Sequence, residues 1–223
     1  MFFKQILKLI APHTCRRCGA TGELVCRDCL PYLDNPRAET CYNCNRLSPS
    51  FRTCSRCRKQ SQLYRVVVAS QYDGLVKELI RYLKYENGID ATTPLARLLA
   101  TKLVSLEQSY DVITWAPTTA RSFRRRGYNQ AAELARALAR LMDLPCIETG
   151  YKAGRLRQVG ADRKQRLIQV RGSIKLRSTD RVKGLRVLLV DDVVTTGATL
   201  NECARLLRAG GAKRVDAVVV AKH

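Results

Sequence analysis

Acidic residues are scarce here: 19 Asp+Glu stand against 40 Lys+Arg, for a formal net charge of +21. So lopsided a balance favours polyanions, nucleic acid first and phosphorylated metabolites second. Histidine is nearly missing, with His13 and His223 the only two. Long apolar runs are missing too. The opening stretch Met1 to Ala11 is apolar with two lysines, well short of the ~20 residues that cross a bilayer. No small-residue cleavage site follows it. Neither a membrane span nor a secretory leader is expected, and the chain is assigned to the cytoplasm. What remains is ample for a core: 46% of the 223 residues are hydrophobic, enough for one α/β domain with a smaller appendage.

Cysteine, by contrast, is abundant. Eight of the ten cysteines fall before residue 58 as Cys-x-x-Cys pairs: Cys15 with Cys18, Cys26 with Cys29, Cys41 with Cys44, and Cys54 with Cys57. Two thiolates three apart on a tight turn reach one ion, and two such turns complete a tetrahedral zinc site. Gly19 and Asn45, each just after a pair, suit the positive φ of such knuckles. The simplest scheme holds two structural zinc ions by sequential pairing. Cys15, Cys18, Cys26 and Cys29 take one; Cys41, Cys44, Cys54 and Cys57 take the other. A cross-brace that interleaves the pairs stays open. Four copies argue against redox chemistry. Few large apolar residues lie among the cysteines, so the metal would supply the folding energy. His13 is then a surface residue, since the cysteines alone fill both sites. Residues 1–60 read as a short apolar helix, Phe2 to Ile10 stopped by Pro12, followed by a double zinc ribbon.

Residues 63–223 read as alternating strands and helices, the pattern of a parallel α/β sheet. Val66 to Ser70 is β-rich. A helix follows with Leu75, Leu79, Ile80 and Leu83 on one face, and Pro94 opens another carrying Leu95, Leu98, Leu99 and Leu103. Val112 to Ala116 is a strand closed by Pro117; the only tryptophan, Trp115, lies near its end, read as core packing ahead of the alternative of base stacking. Arg121 to Gln130 reads as a basic loop, able to meet pyrophosphate or a nucleic-acid backbone. It leads into a helix with Leu134, Leu138 and Leu141 on its apolar stripe. Lys152 to Lys183 is a glycine-interrupted, strongly basic arm or hairpin that could close over a bound anion. Cys146 and Cys203 read as core cysteines.

The most informative stretch runs from Arg186 to Leu200. Val187-Leu188-Leu189-Val190 has no polar alternation, as in a strand buried on both faces. Asp191 and Asp192 stand where that strand ends, the edge at which open α/β sheets bind ligands. Thr195, Thr196, Gly197, Ala198 and Thr199 then bring hydroxyls and backbone N–H groups to the start of a helix, an anion site by geometry and dipole. An acid pair beside a phosphate cradle suggests a sugar phosphate. The helix continues with Cys203, Leu206 and Leu207 inward, stops at Gly210-Gly211 and feeds a last strand, Val215 to Ala221.

The run Val187 to Val190 followed by Asp191-Asp192-Val193-Val194-Thr195-Thr196-Gly197-Ala198-Thr199 resembles the phosphoribosyl-diphosphate signature of type I phosphoribosyltransferases. Paired Cys-x-x-Cys motifs come first, Arg124-x-Arg126-Gly127-Tyr128-Asn129-Gln130 next, and that signature last. This order resembles the ComF family of competence-associated phosphoribosyltransferase-like proteins, as do Lys84-Tyr85, Gln158 and Arg166. Gln169 and Ile174 depart from the asparagine and phenylalanine frequent in relatives. The resemblance implies a type I phosphoribosyltransferase-like, Rossmann-like parallel sheet with a small N-terminal zinc-ribbon domain built on four-cysteine sites. It implies that Asp191 and Asp192 hold the ribose hydroxyls and that Thr195 to Thr199 wrap the 5′-phosphate. On this view Gly197 lets the phosphate approach, and Mg²⁺ accompanies phosphoribosyl diphosphate. Arg124, Arg125, Arg126, Asn129, Gln130 and Arg166 would meet pyrophosphate or a nucleic-acid backbone.

Two functions follow from the resemblance. The first is binding of phosphoribosyl diphosphate and of single-stranded DNA during natural transformation, with an exposed Phe123 or Tyr128 stacking bases, alongside competence proteins such as a DNA helicase. The alternative is an active phosphoribosyltransferase with an unidentified acceptor. That chemistry relies on positioning and electrostatics more than on a dedicated base, and no catalytic residue is assigned.

Overall fold

In a computed structural model of the protein, residues 13–35, 38–153, 172–177 and 180–223 are described. The expected helix Phe2 to Ile10 lies outside them, as do Gln158, Arg166 and Gln169 of the basic arm.

The cysteine-rich segment has little regular structure of its own. Strands β1 (His13–Thr14) and β2 (Thr21–Gly22) form a minimal antiparallel hairpin. Short 3-10 turns follow at Arg27–Leu33 and Pro49–Phe51, then the single turn α1 (Ser55–Arg58). The two knuckles adopt the backbone foreseen for them, with φ of 77° at Gly19 and 60° at Asn45. Leu24, Val25, Leu33, Tyr42 and Phe51 of this segment join one continuous apolar cluster with the α/β core. The segment buries its few large side chains against its neighbour because it has too few to enclose a core alone.

The remainder is α/β. Strand β3 (Val66–Gln71) is followed by α2 (Gly74–Tyr85) and α3 (Thr92–Val104); β4 (Val112–Trp115) by α4 (Ala120–Arg126) and α5 (Gln130–Met142). Strands β5 (Gly150–Lys152) and β6 (Ile174–Leu176) pair antiparallel. Then come β7 (Arg186–Val194), α6 (Ala198–Ala209) and β8 (Arg214–Lys222). The main sheet has the order β3-β8-β7-β4, with every neighbouring pair parallel. Val187 to Val190 are fully buried, as expected of a strand covered on both faces.

Local chemistry corrects several expectations. Arg121 to Arg126 form a helix rather than a loop: the Thr119 hydroxyl accepts from the Ser122 N–H, and Gly127 ends the helix in the left-handed region, the usual start and stop signals. Leu141, expected to face inward, is 51% exposed, while its neighbour Met142 packs against the core, so the inward face of the last turn of α5 falls on Met142 instead. Helix α3 starts at Thr92, ahead of Pro94. Cys146 is only half-buried. β7 runs on to Val194, so Asp191 and Asp192 lie within the strand and not after it.

A buried charge cluster was invisible in sequence. The Arg65 Nε and Asp216 Oδ2 lie 3.2 Å apart, Arg214 pairs with the same carboxylate, and the Tyr110 hydroxyl donates to it at 3.1 Å. It ties the starts of β3 and β8 together, at the sheet end opposite the acid pair.

Candidate functional site

The C-terminal end of β7 sets the geometry. Asp192 is buried there and Asp191 half-buried. The Asp192 N–H donates to Asp191 Oδ1 at 2.9 Å, and the Val193 N–H to Asp192 Oδ1 at 2.7 Å. These contacts fix the two carboxylates against their own strand. Lys84, near the end of α2, places Nζ 3.1 Å from Asp192 Oδ2. Burial and then the neighbouring Asp192 charge push Asp191 up to about 7, although backbone contact and the charges of Lys84 and Lys152 act the other way. Like charges so close resist joint ionisation. The pair is therefore built to meet hydroxyl donors or a cation.

Thr195 and Thr196 follow the strand, and Gly197 (φ 74°) is the left-handed cap from which α6 departs. The Thr196 hydroxyl accepts from the Ala198 N–H at 3.4 Å. Gly197 has a reason for being glycine that the sequence did not show. A Cβ built there would stand 2.4 Å from Cε2 of Tyr42, inside the Cys41–Cys44 knuckle. Tyr42 is buried, and its hydroxyl lies 2.8 Å from Ser61 Oγ. Lys222 Nζ donates to the Tyr42 carbonyl and to Asn45 Oδ1. Asn201 of α6 accepts from the Gln62 N–H and donates to the Gln60 carbonyl. The second cysteine knuckle thus backs the loop directly.

The arginines of α4 reach the same neighbourhood through Tyr85. Arg125 and Arg126 lie over its ring at 5.7 and 5.8 Å, and Lys84 is the adjacent residue. Arg124 and Arg125 are exposed while Arg126 is half-buried. Asn129 and Gln130 sit differently. Asn129 caps α5, accepting from the Ala131 N–H and donating to the Ala116 carbonyl, so it holds the turn together. Gln130 is 8% exposed. Tyr85 also borders an open cavity of about 820 Å³ with Arg81, Lys222 and His223 at the ends of β3 and β8. Arg166 lies outside the described residues. Lys84 and Tyr42 are the contributors that site-by-site reading missed; the Lys84-Tyr85 pair was visible only as part of a family pattern.

The eight paired cysteines assemble into two groups by sequential pairing. Cys15, Cys18, Cys26 and Cys29 form one and Cys41, Cys44, Cys54 and Cys57 the other, with ligand atoms within 4.8 Å of one another in each. The cross-brace is thereby set aside. All eight are free thiols, and Cys18 Sγ to Cys26 Sγ and Cys44 Sγ to Cys54 Sγ are both 3.6 Å. Sulfurs at such spacing suit an ion with Zn–S bonds of about 2.3 Å. Burial opposes ionisation of Cys15, yet N–H donors from Cys18, Cys26 and Arg17 outweigh it and bring the thiol down to about 6. The donor set fits a zinc ribbon.

Comparison with known proteins gives the chain its relatives. A family described as phosphoribosyl transferase domain matches residues 122–223. Competence protein F of Haemophilus influenzae is 29% identical over 214 residues, covering 86% of this chain and 93% of its own. DNA utilization protein YhgH of Salmonella typhi is 31% identical over 173 residues, covering 73% of this chain and 74% of its own. A structure of the allosteric regulatory enzyme of purine biosynthesis superposes with a TM-score of 0.42 at 20% identity, over 63% of this chain and 30% of that one. Among the described residues no helix is long and apolar enough to cross a membrane.

Proposed function

The chain belongs to the family of competence protein F and DNA utilization protein YhgH, with a phosphoribosyl transferase domain in its C-terminal half, and on that premise we propose that it binds phosphoribosyl diphosphate and single-stranded DNA. The observation that carries the first half is the juxtaposition of the Asp191–Asp192 pair with the Thr195–Thr199 turn at the end of β7. Asp191 and Asp192 accept from the ribose 2′- and 3′-hydroxyls. Thr195, Thr196, Gly197, Ala198 and Thr199 enclose the 5′-phosphate at the N-terminus of α6. Lys84 holds the Asp192 carboxylate in place. Mg²⁺ bound with the diphosphate supplies charge neutralisation there.

The second half rests on charge and on the names of the relatives. Arg124 and Arg125 project from α4 beside the pocket and meet pyrophosphate or DNA phosphates, in a chain of net charge +21. Residues 1–60 serve as a zinc-held ribbon on the 63–223 domain, with one zinc in each cysteine group. Competence proteins are its protein partners, and reduced thiols in this number suit the cytoplasm.

Turnover is the second reading, favoured by the phosphoribosyl transferase match itself. The bond between ribose C1 and pyrophosphate oxygen would break, a bond from C1 to an acceptor nitrogen would form, and the acceptor proton would pass to solvent. Titration calorimetry with phosphoribosyl diphosphate and Mg²⁺, repeated with single-stranded DNA present, tests binding; pyrophosphate release with a panel of acceptors tests turnover. Asp191→Asn with Asp192→Asn is expected to abolish the diphosphate heat and any turnover. Wild-type heats from that variant would place the ligand elsewhere.

A further inference from the structure

A second cleft lies between α4, the start of α5 and the β5–β6 hairpin. It has a volume of about 600 Å³, in the range of small-ligand sites. Its walls are unusual for a chain with so few aromatics. Phe123 of α4 is 50% exposed and Tyr151 of β5 is 41% exposed, and both line this cleft. Trp115, 9% exposed, lines it from the end of β4. These three of the chain's fourteen aromatic rings thus meet at one open cleft.

Cations stand beside these rings. Arg136 lies 5.1 Å from the Trp115 ring centre and Arg177 5.5 Å from that of Tyr151. Arg124 also lines the cleft. The two acids of the lining are each beside an arginine: Glu133 pairs with Arg136, and Glu148 lies 3.8 Å from Arg177. The cleft therefore stays net positive. Flat apolar rings with arginines beside them match a flat base on a charged backbone, because every base offers a π-face and each phosphate a negative charge. A duplex keeps its bases stacked inside, where Phe123 and Tyr151 cannot reach them.

We propose that this cleft, which adjoins the phosphoribosyl pocket through Trp115 beside Val190, is a stacking site for the bases of single-stranded DNA. Phe123 and Tyr151 take the bases, and Arg124 and Arg177 take the flanking phosphates. The assignment rests on the DNA-binding reading above and names where that binding occurs.

Trp115 is the only tryptophan in the chain and lines this cleft. Because it also pairs with Val190 beside the acid pair, the titration is run without phosphoribosyl diphosphate, so that its emission reports the DNA alone. The experiment titrates a labelled thymidine decamer into the full-length protein, following label anisotropy and Trp115 emission together. Saturable binding with a matching change in Trp115 emission is expected. Phe123→Ala with Tyr151→Ala should weaken binding about tenfold or more, in line with the loss of base stacking. Tyr151→Phe should retain near wild-type affinity, since it keeps the ring. Tight anisotropy binding with silent Trp115 and an unaffected double variant would overturn the cleft while sparing the DNA reading. No anisotropy change at low salt would sink both. An equal Trp115 response to a duplex would show that the cleft does not select unstacked bases and would also overturn it.

Discussion

The ring of Tyr42 occupies the space that a side chain at Gly197 would need, with 2.4 Å between the ring edge and the would-be Cβ. One residue belongs to a cysteine knuckle and the other to the proposed phosphate turn. The two parts of the chain therefore share a wall, and disturbing one disturbs the other.

Gly197→Ala meets two obstacles. Its left-handed backbone disfavours a side chain by about 1–2 kcal/mol, and the added methyl strikes Tyr42. Tyr42→Ala removes the second obstacle while leaving a cavity that costs about 3–5 kcal/mol. Denaturant midpoints of the four proteins in a double-mutant cycle should show that Gly197→Ala costs less when Tyr42 is already alanine. Strict additivity would mean that the ring yields freely.

Metal analysis should find two zinc ions per chain, falling to one when Cys54 and Cys57 are replaced by serine. Because Tyr42 lies between Cys41 and Cys44, chelation should lower the melting temperature and also weaken phosphoribosyl diphosphate binding by calorimetry. Unchanged ligand affinity after complete chelation would detach the knuckle from the turn.

The acid pair predicts a pH dependence with a definite sign. Folded Asp191 holds its proton up to about 7, whereas an unfolded aspartate loses it near about 3.9. The native state thus binds more protons across that window, and this group's contribution to stability is lost as pH rises through about 7. Ligand affinity moves the other way. Ribose hydroxyls donate best to the ionised carboxylate, so binding should tighten as pH rises to about 7 and then level off, with proton release below it. Asp191→Asn should remove the part of the profile not due to the ligand's own phosphate, whose second ionisation is near about 6. Identical profiles for wild type and variant would reject Asp191 as the titrating group.

Affinity for single-stranded DNA should fall linearly with the logarithm of salt concentration, with a slope of about −0.7 per phosphate neutralised. Replacing Arg124, Arg125 and Arg126 together by alanine should make that slope shallower by about 2, if each meets one phosphate. Fluorescence anisotropy across a salt series measures it. An unaltered slope would move the backbone contacts away from α4.

Much of this was legible from composition and spacing. The four cysteine pairs, the buried run Val187 to Val190 and the Asp191–Thr199 stretch are local patterns, and local patterns survive in a one-dimensional reading. The α4 helix was misread because a run of arginines around Phe123 masks a short helix that only its cap and its closing glycine define. Leu141 was misplaced because adjacent Leu141 and Met142 are both apolar, and only packing decides that Met142 takes the inward position.

The order of residues alone, then, specified which groups were chemically equipped: thiolates in pairs, two adjacent carboxylates after an apolar run, hydroxyls on a turn and arginines in a run. Which of them meet was left to the packing. Lys84 reaches Asp192, Tyr42 fills the space behind Gly197, and Phe123 lines the same cleft as Tyr151 only because a parallel sheet carries distant segments to one edge. The reason is physical: capping, knuckle turns and strand burial depend on a few neighbouring residues, whereas these meetings depend on how helices and strands pack, and no short stretch of chain contains that information.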